Sequence, residues 1–212
     1  MAAANDIKFV IIDTGCANIS SVKFAVERLG INVVVSDQTD VIKNADKVLL
    51  PGVGSASAAM SSIKQKQLVD LIQSLTQPVL GICLGMQLMT EFSEESPGSH
   101  LAIDEKNNID CLSLIPTKIQ RMQAGDLVLP HMGWNQIKVE NDSPLFNGIE
   151  DGTFFYFVHS FCAPISEHTL ASCEYGQPFS AAIFKDNFYG VQFHPERSGQ
   201  AGAKLLENFI NM

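Results

Sequence analysis

Four short β-branched runs, set apart by segments of helical periodicity, leave this chain few folds to choose from. Ile7 to Ile12, Asn32 to Val35, Lys47 to Leu50 and Pro78 to Cys83 are each bounded by turn or capping residues, and they read as buried parallel strands. Between the first two, Ile19, Val22, Val26 and Leu29 recur at helical spacing, with Asn18 as a candidate N-cap and Gly30 as the stop. That is a β-α-β unit. After the third run, Ala56, Met60, Ile63, Leu68, Leu71, Ile72 and Leu75 make one apolar stripe that Pro78 ends, which predicts a second, longer crossover helix. The second half changes character. Thr153 to Phe161, Thr169 to Tyr175, Ser180 to Lys185 and Phe188 to His194 are strand-like with only turns between them, a spacing that favours antiparallel pairing. Ala201, Leu205, Leu206, Phe209 and Ile210 mark a final amphipathic helix. The expected architecture is α/β: an open, mostly parallel sheet with helices on both faces and an antiparallel extension. In such sheets sites lie beyond the carboxyl ends of the strands, so the residues that end strands are read first.

The 212 residues, 46% hydrophobic and 17% charged, suffice for one sizeable core and are few for two, so a single domain over residues 1–212 is expected. Twenty-three acidic against fourteen basic side chains leave a formal charge of -9. Such a surface repels polyanions, and no nucleic-acid partner is expected. No apolar run approaches the roughly 18 to 20 residues needed to cross a bilayer, and Met1 to Lys8 carries neither a basic region nor an apolar secretion segment. A soluble, cytoplasmic protein without a membrane partner is the expectation. Five cysteines, at positions 16, 83, 111, 162 and 173, include no C-x-x-C pair, which speaks against a disulfide framework and a zinc knuckle. The five histidines show no ligand spacing, so neither a metal nor a cofactor is expected.

The fourth strand ends in Gly81-Ile82-Cys83-Leu84-Gly85, followed by the helix-like Met86-Gln87-Leu88-Met89. This is the cysteine form of the G-x-S-x-G nucleophile elbow. A nucleophile on a sharp strand-to-helix turn has close neighbours on either side, which is why both flanking positions want no side chain. The helix N-terminus that follows favours negative charge on sulfur. Taken alone, the motif fits an inert buried cysteine in a glycine turn equally well. The last strand supplies a partner: alternation places Gly190, Gln192 and His194 on one side, and an extended His194-Pro195-Glu196 keeps the glutamate on that side, roughly 7 Å along. Cys83 as nucleophile, His194 as base and Glu196 as the carboxylate that holds the imidazole fill the three roles of a triad. The third strand ends in Pro51-Gly52-Val53-Gly54. It lacks the G-x-x-x-x-G-K-[ST] of a phosphate loop. A better reading is a glycine loop that offers the Val53 N–H, together with the Leu84 N–H, to a developing oxyanion, although an ordinary β-α turn fits the same residues. The glycines beside Val53 also let its peptide rotate, which makes this loop the candidate activation switch.

Taken together, Pro51 to Gly54, Gly81 to Gln87 and His194 to Glu196 resemble, in order and spacing, the P-G-x-G, G-x-C-x-G-x-Q and H-P-E motifs of the class I glutamine amidotransferases. Asp13 to Asn18, Pro130 to Asn135, Tyr156 to Ser160 and Phe193 to Gly199 resemble the branch of that family that serves imidazole glycerol phosphate synthases as glutaminase subunit, and the likeness runs from about Ile7 to Ile210. The resemblance implies a flavodoxin-like three-layer fold and hydrolysis of glutamine to glutamate and ammonia through a thioester. It also implies delivery of the ammonia to a partner cyclase subunit, in a heterodimer that makes imidazole glycerol phosphate and an aminoimidazole carboxamide ribotide for histidine synthesis. Ammonia released into neutral water would be protonated and lose its nucleophilicity, which a sealed route avoids. By the same resemblance Gly52, Gly54, Gln87, Glu95, His159 and Ser160 bind glutamine, Glu95 facing its ammonium. Asn18, Met132, Trp134, Tyr156 and Arg197 meet the partner. Phe161 stands where many members carry tyrosine and Ala17 where many carry glycine; neither touches the triad. A free-standing cysteine hydrolase of the same fold would explain the triad without the Pro130 to Asn135 loop. A glutaminase subunit serving a different synthase, or a catalytically silent binding module, are the other readings.

Overall fold

The computed structural model describes residues 7–15, 19–95 and 108–212. Its main sheet has eight strands. Four come from the first half, β1 (Phe9–Ile12), β2 (Val33–Ser36), β3 (Lys47–Leu50) and β4 (Val79–Ile82), and they run parallel in the order β2-β1-β3-β4. Every residue of β1, β3 and β4 is buried. Along β1, Phe9 and Ile11 enter one apolar cluster while Val10 and Ile12 enter another on the opposite face. A strand covered on both sides has no polar alternation, hence the continuous β-branched runs.

Helices α1 (Ile19–Glu27) and, at the end of the chain, α6 (Gly199–Asn211) cover one face. The other carries α2 (Thr39–Lys43), α3 (Ala56–Gln65), α4 (Val69–Gln73) and α5 (Leu84–Leu88). These make the three layers. The single long crossover helix expected over Ala56 to Leu75 is instead two helices, because Gln67 adopts φ +55° between them and a left-handed residue ends a helix. The apolar stripe continues across the break, which hid it. The short α2, five residues with one buried side chain, Ile42, gave no periodic signal. The candidate N-cap Asn18 lies outside the described residues.

Short strands β5 (Phe92–Ser93), β6 (Ile109–Asp110) and β7 (Lys118–Arg121) lead to β8 (His131–Gln136), β9 (Lys138–Val139), β10 (Phe154–His159) and β11 (Phe161–Cys162). Then β12 (Thr169–Tyr175), β13 (Gln177–Lys185) and β14 (Phe188–Val191) complete the main sheet, continuing it as β4-β14-β13-β12-β9. Two expectations for this half are corrected. Phe188 to His194 was expected to pair antiparallel; β14 does so with β13 but is parallel to β4, with Gly190 opposite Gly81 and Val191 opposite Ile82. It also stops at Val191, so Gln192 to His194 leave the sheet. The Thr153 to Phe161 segment stays out of that sheet, and β10 pairs with β8 in a two-stranded ribbon. Strands β11, β7, β5 and β6 form a third sheet.

Helix α6 packs hard against the segment after β14. A Cβ added at Gly202 would collide with the Pro195 carbonyl, so glycine here sets how closely the helix approaches the His194–Glu196 turn. Gly202→Ala is expected to lower stability by about 1 to 3 kcal/mol and to displace that turn. Gly30 has φ +84° but open space around its α-carbon, and alanine there should cost about 1 to 2 kcal/mol without touching activity. Denaturant unfolding and activity measured on both variants check the contrast; equal activity in the two would contradict it.

Candidate active site

Because β3, β4 and β14 are adjacent and parallel, their carboxyl ends deliver Pro51 to Gly54, Cys83 and the Gln192 to Glu196 segment to one edge. The Cys83 N–H donates to the Val191 carbonyl at 2.8 Å, which fixes the elbow against the strand that leads to His194. Cys83 adopts φ +53°, ψ -111°, a conformation costly for a residue with a side chain and one that clusters at functional sites. The flanking glycines are required sterically. A Cβ at Gly81 would lie 2.7 Å from the Met86 nitrogen, and one at Gly85 would overlap the Leu50 carbonyl. Cys83 precedes α5, whose first N–H groups, Leu84 among them, have no carbonyl earlier in the helix to bond.

His194 Nδ1 and Glu196 Oε1 are 2.8 Å apart, both side chains largely buried. The pairing does not come from the extended His-Pro-Glu expected from the sequence: Pro195–Arg197 is a single 3-10 turn with His194 extended before it. The turn brings the carboxylate back onto the ring that precedes it. Strand β10 and Ser198 brace this turn. The His194 N–H donates to the Tyr156 carbonyl (2.8 Å), the Tyr156 N–H to Ser198 Oγ (3.0 Å), and Ser198 Oγ to the His194 carbonyl (2.7 Å). Burial works against a charge on His194. Hydrogen bonds to Cys83 and Glu196, and the electrostatic pull of both, outweigh it and raise the imidazole pKa to about 10. It is protonated at neutral pH, the state a general acid needs. By contrast, burial pushes the thiols of Cys111, Cys162 and Cys173 up to about 12, 11 and 12, and protonated thiols are poor nucleophiles. Cys16 lies outside the described residues.

A cavity of about 320 Å³ opens over the sulfur, a size suited to a small-molecule ligand. Val53, Gly54, Leu84, Gln87, Glu95, His159, Ser160 and His194 all line it with Cys83. Gly52 lies beside it, on a smaller cavity of about 100 Å³ shared with Glu196, and Arg197 borders both. Glu95 accepts from the Ala56 N–H at 2.9 Å, at the start of α3. Burial nevertheless moves its pKa upward, against the pull of that N–H. Two of the polar residues do not present the atoms a simple reading assigns them. Gln87 Nε2 donates to the Phe161 carbonyl (3.0 Å) and to Gln192 Oε1 (2.9 Å), which leaves its Oε1 for a ligand. His159 has both ring nitrogens engaged within the protein and forms a wall of the cavity instead of offering a free ring nitrogen. Sequence reasoning missed Gln192, Ser198 and His131, which lie behind the lining residues; alternation placed Gln192 beside His194 but gave it no task.

Of the residues for which a partner was expected, Met132, Trp134 and Tyr156 lie apart from the cavity, whereas Arg197 borders it. On the ribbon, Met132, Trp134 and Phe154 are 63%, 54% and 51% exposed, while His131, Phe155 and Phe157 point inward and are buried. Tyr156 stands opposite Trp134 across the ribbon, edge-on to its ring, with the Arg197 guanidinium over its own. Asn18 falls outside the described residues.

A cysteine on a strand-to-helix elbow, with a carboxylate-held imidazole beside it on an open α/β sheet, defines the cysteine-hydrolase class of site. The chain belongs to the class-I glutamine amidotransferase family, whose model matches residues 10–212. It is 56% identical over 209 residues to "Imidazole glycerol phosphate synthase subunit HisH" of Colwellia psychrerythraea, covering 97% of this chain and 93% of the relative. The protein of the same name from Vibrio cholerae is 55% identical, with 96% and 98% covered. Among solved structures, PurLQS from Thermotoga maritima superposes with a TM-score of 0.70 at 18% identity, over 96% of this chain and 97% of that one, a likeness of fold.

The inward face of the ribbon makes its own prediction. Burial lowers the pKa of His159 to about 3 and that of His131 to about 4, whereas an unfolded histidine titrates near 6.5. Between those values the unfolded chain binds protons that the folded chain excludes, so stability rises with pH across the window and falls as pH drops from about 6.5 towards 4. His131→Gln removes one such group. Its stability should fall less over that range than the wild type's, by on the order of 2 kcal/mol. Chemical denaturation at several pH values measures this, and parallel curves would contradict it.

Proposed function

We propose that this chain is the glutaminase subunit of an imidazole glycerol phosphate synthase, supplying ammonia to a cyclase partner for histidine synthesis. The observation that carries the reading is the hydrogen-bonded His194–Glu196 pair beside Cys83, at one wall of a cavity that also holds the Glu95 carboxylate. Glu95 suits the ammonium of an amino-acid substrate. Bound that way, glutamine extends its carboxamide towards the sulfur.

The Cys83 sulfur attacks the carboxamide carbon, and the N–H groups of Val53 and Leu84 receive the oxyanion. Collapse of the tetrahedral intermediate breaks the C–N bond while His194, through the ring nitrogen not held by Glu196, gives its proton to the leaving ammonia. A thioester remains. Water then attacks it, passes a proton to His194, and the C–S bond breaks to release glutamate. The exposed apolar face of the ribbon, Met132, Trp134 and Phe154 with Tyr156 and Arg197 beside them, suits a protein partner better than solvent. The cyclase covers it and receives the ammonia, turning it into imidazole glycerol phosphate with release of an aminoimidazole carboxamide ribotide.

Glutamine hydrolysis is expected to be slow with the chain alone and strongly stimulated by the cyclase subunit. No hydrolysis in either state would overturn the reading. His194→Ala should abolish most of the activity, and Glu196→Gln should cost less because the glutamate orients the imidazole without itself moving the proton. For the Val53 loop as activation switch, Gly54 is the residue to replace. A Cβ at Gly52 would lie 2.7 Å from the Gly85 nitrogen and 2.9 Å from Leu84 Cβ, which would displace the elbow itself, whereas Gly54 sits at φ +93° in open space. Gly54→Ala is expected to change the ratio of stimulated to basal glutaminase activity more than it changes glutamine affinity; an unchanged ratio would show that activation bypasses this loop.

A further inference from the structure

We infer that Gln192 is a further catalytic residue of the hydrolysis: its side-chain amide donates to the Cys83 sulfur, and a one-way chain of hydrogen bonds fixes which end of that amide faces the nucleophile. The inference rests on Cys83 being the nucleophile. Gln192 is completely buried, and its Nε2 lies 3.7 Å from Cys83 Sγ, within reach of a hydrogen bond to sulfur. A glutamine amide turned the other way would set oxygen against a thiolate and oppose it, so orientation decides its effect.

The Phe161 carbonyl dictates that orientation, because a carbonyl can only accept. Gln87 must therefore turn Nε2 towards it (3.0 Å), and the same nitrogen reaches Gln192 Oε1 at 2.9 Å. Gln192 Oε1 thus faces Gln87, and Nε2 faces the sulfur. The Phe161 carbonyl also meets His159 Nδ1 at 2.9 Å, so the proton of that ring sits on Nδ1 and its Nε2 accepts from His131 Nδ1 at 3.0 Å. His131 Nε2 is then the acceptor for Asn135 Nδ2 at 3.3 Å. Every donor meets an acceptor, and both imidazoles are neutral, in keeping with the lowering of their pKa values by burial. Buried networks satisfied in this way are rigid.

The sulfur needs such a donor. Its neighbour on β10 is the Val158 carbonyl, 3.8 Å away, which accepts a hydrogen bond from the thiol but repels the thiolate. Gln192 and the protonated His194 supply the opposite polarity. Among the described residues, the remaining titratable groups near the sulfur are Glu196 behind His194, His159 on β10, and Glu95 and Arg197 around the cavity; all stay unaltered in the variants below.

The pH dependence of Cys83 alkylation by iodoacetamide, assigned by peptide mapping on the full chain, tests the proposal. Gln192→Glu still accepts from Gln87 but sets an oxygen on the sulfur; Gln192→Met keeps the bulk and removes the donor. In both, alkylation at pH 7 should slow by about tenfold and its midpoint should move up by about one on the pH scale. With the cyclase bound, glutamine kcat should fall with it while KM stays within about twofold. Ammonia-dependent synthesis by the same complex reports that the variants are folded. A measurement without substitution stands beside these: the Gln192 side-chain amide resonances should shift as Cys83 ionises and cease to do so in Cys83→Ala. A folded variant with the wild-type alkylation profile, or amide resonances that ignore Cys83, would overturn the proposal. Labelling of a cysteine other than Cys83 would instead overturn the triad reading on which it rests.

Discussion

The parallel pairing of β4 with β14 is the interaction on which the candidate site depends. It joins the first half of the chain to the second, and it sets Cys83 and His194 at one edge although 110 intervening residues separate them. Parallel strands end on the same side, so the proposed nucleophile and its proposed base emerge together. An antiparallel seam at this position would have sent them to opposite edges. The seam sits where the parallel half of the sheet meets the antiparallel half, with β14 bonded to both. Gly190 makes the close fit possible, since a Cβ there would lie 2.6 Å from Met86 Cγ on α5. The helix after the cysteine therefore rests directly on the strand that leads to the histidine.

Around that seam the site is built from close approach, and glycine is the residue that permits it. Gly52, Gly81 and Gly85 bring three backbone segments within contact of one another, which leaves no slack in the position of Cys83. Electrostatics then separates this cysteine from its neighbours. Cys111, Cys162 and Cys173 are buried, with no cationic partner in hydrogen-bond reach among the described residues, and their thiols are pushed upward. Cys83 is also buried, yet it faces an imidazolium and a cavity. Burial strengthens electrostatic contacts at the sulfur, and the imidazolium places a positive charge beside it.

How much of this could be read from the sequence depends on the range of the interactions involved. Strands β1, β3 and β4 were legible because burial on both faces leaves a continuous apolar run, whereas β2, expected to be buried, is the edge strand and leaves Val34 and Val35 exposed. Cys83 and its flanking glycines were legible because the elbow is local: its steric demand falls on residues two positions away. The break between α3 and α4 was not, since the apolar stripe crosses it without interruption and the left-handed residue is glutamine. Pairing in the second half was misjudged because turns of similar length precede strands that join different sheets. The His194–Glu196 contact was expected from extended geometry and is made by a 3-10 turn, so the residues were identifiable while the backbone was not. Gln192 and His131 are joined to the site by contacts between distant segments, which no local pattern announces.

The central claim is that the strained cysteine at the end of β4 is the glutaminase nucleophile and that the rest of the chain remains a competent partner without it. Cys83→Ala, assembled with the cyclase, tests this most directly when synthesis from glutamine and synthesis from added ammonia are measured on the same preparation. Glutamine-dependent synthesis should be abolished and ammonia-dependent synthesis should stay near the wild-type rate. A variant that still drew its nitrogen from glutamine at a rate near wild type would contradict the account.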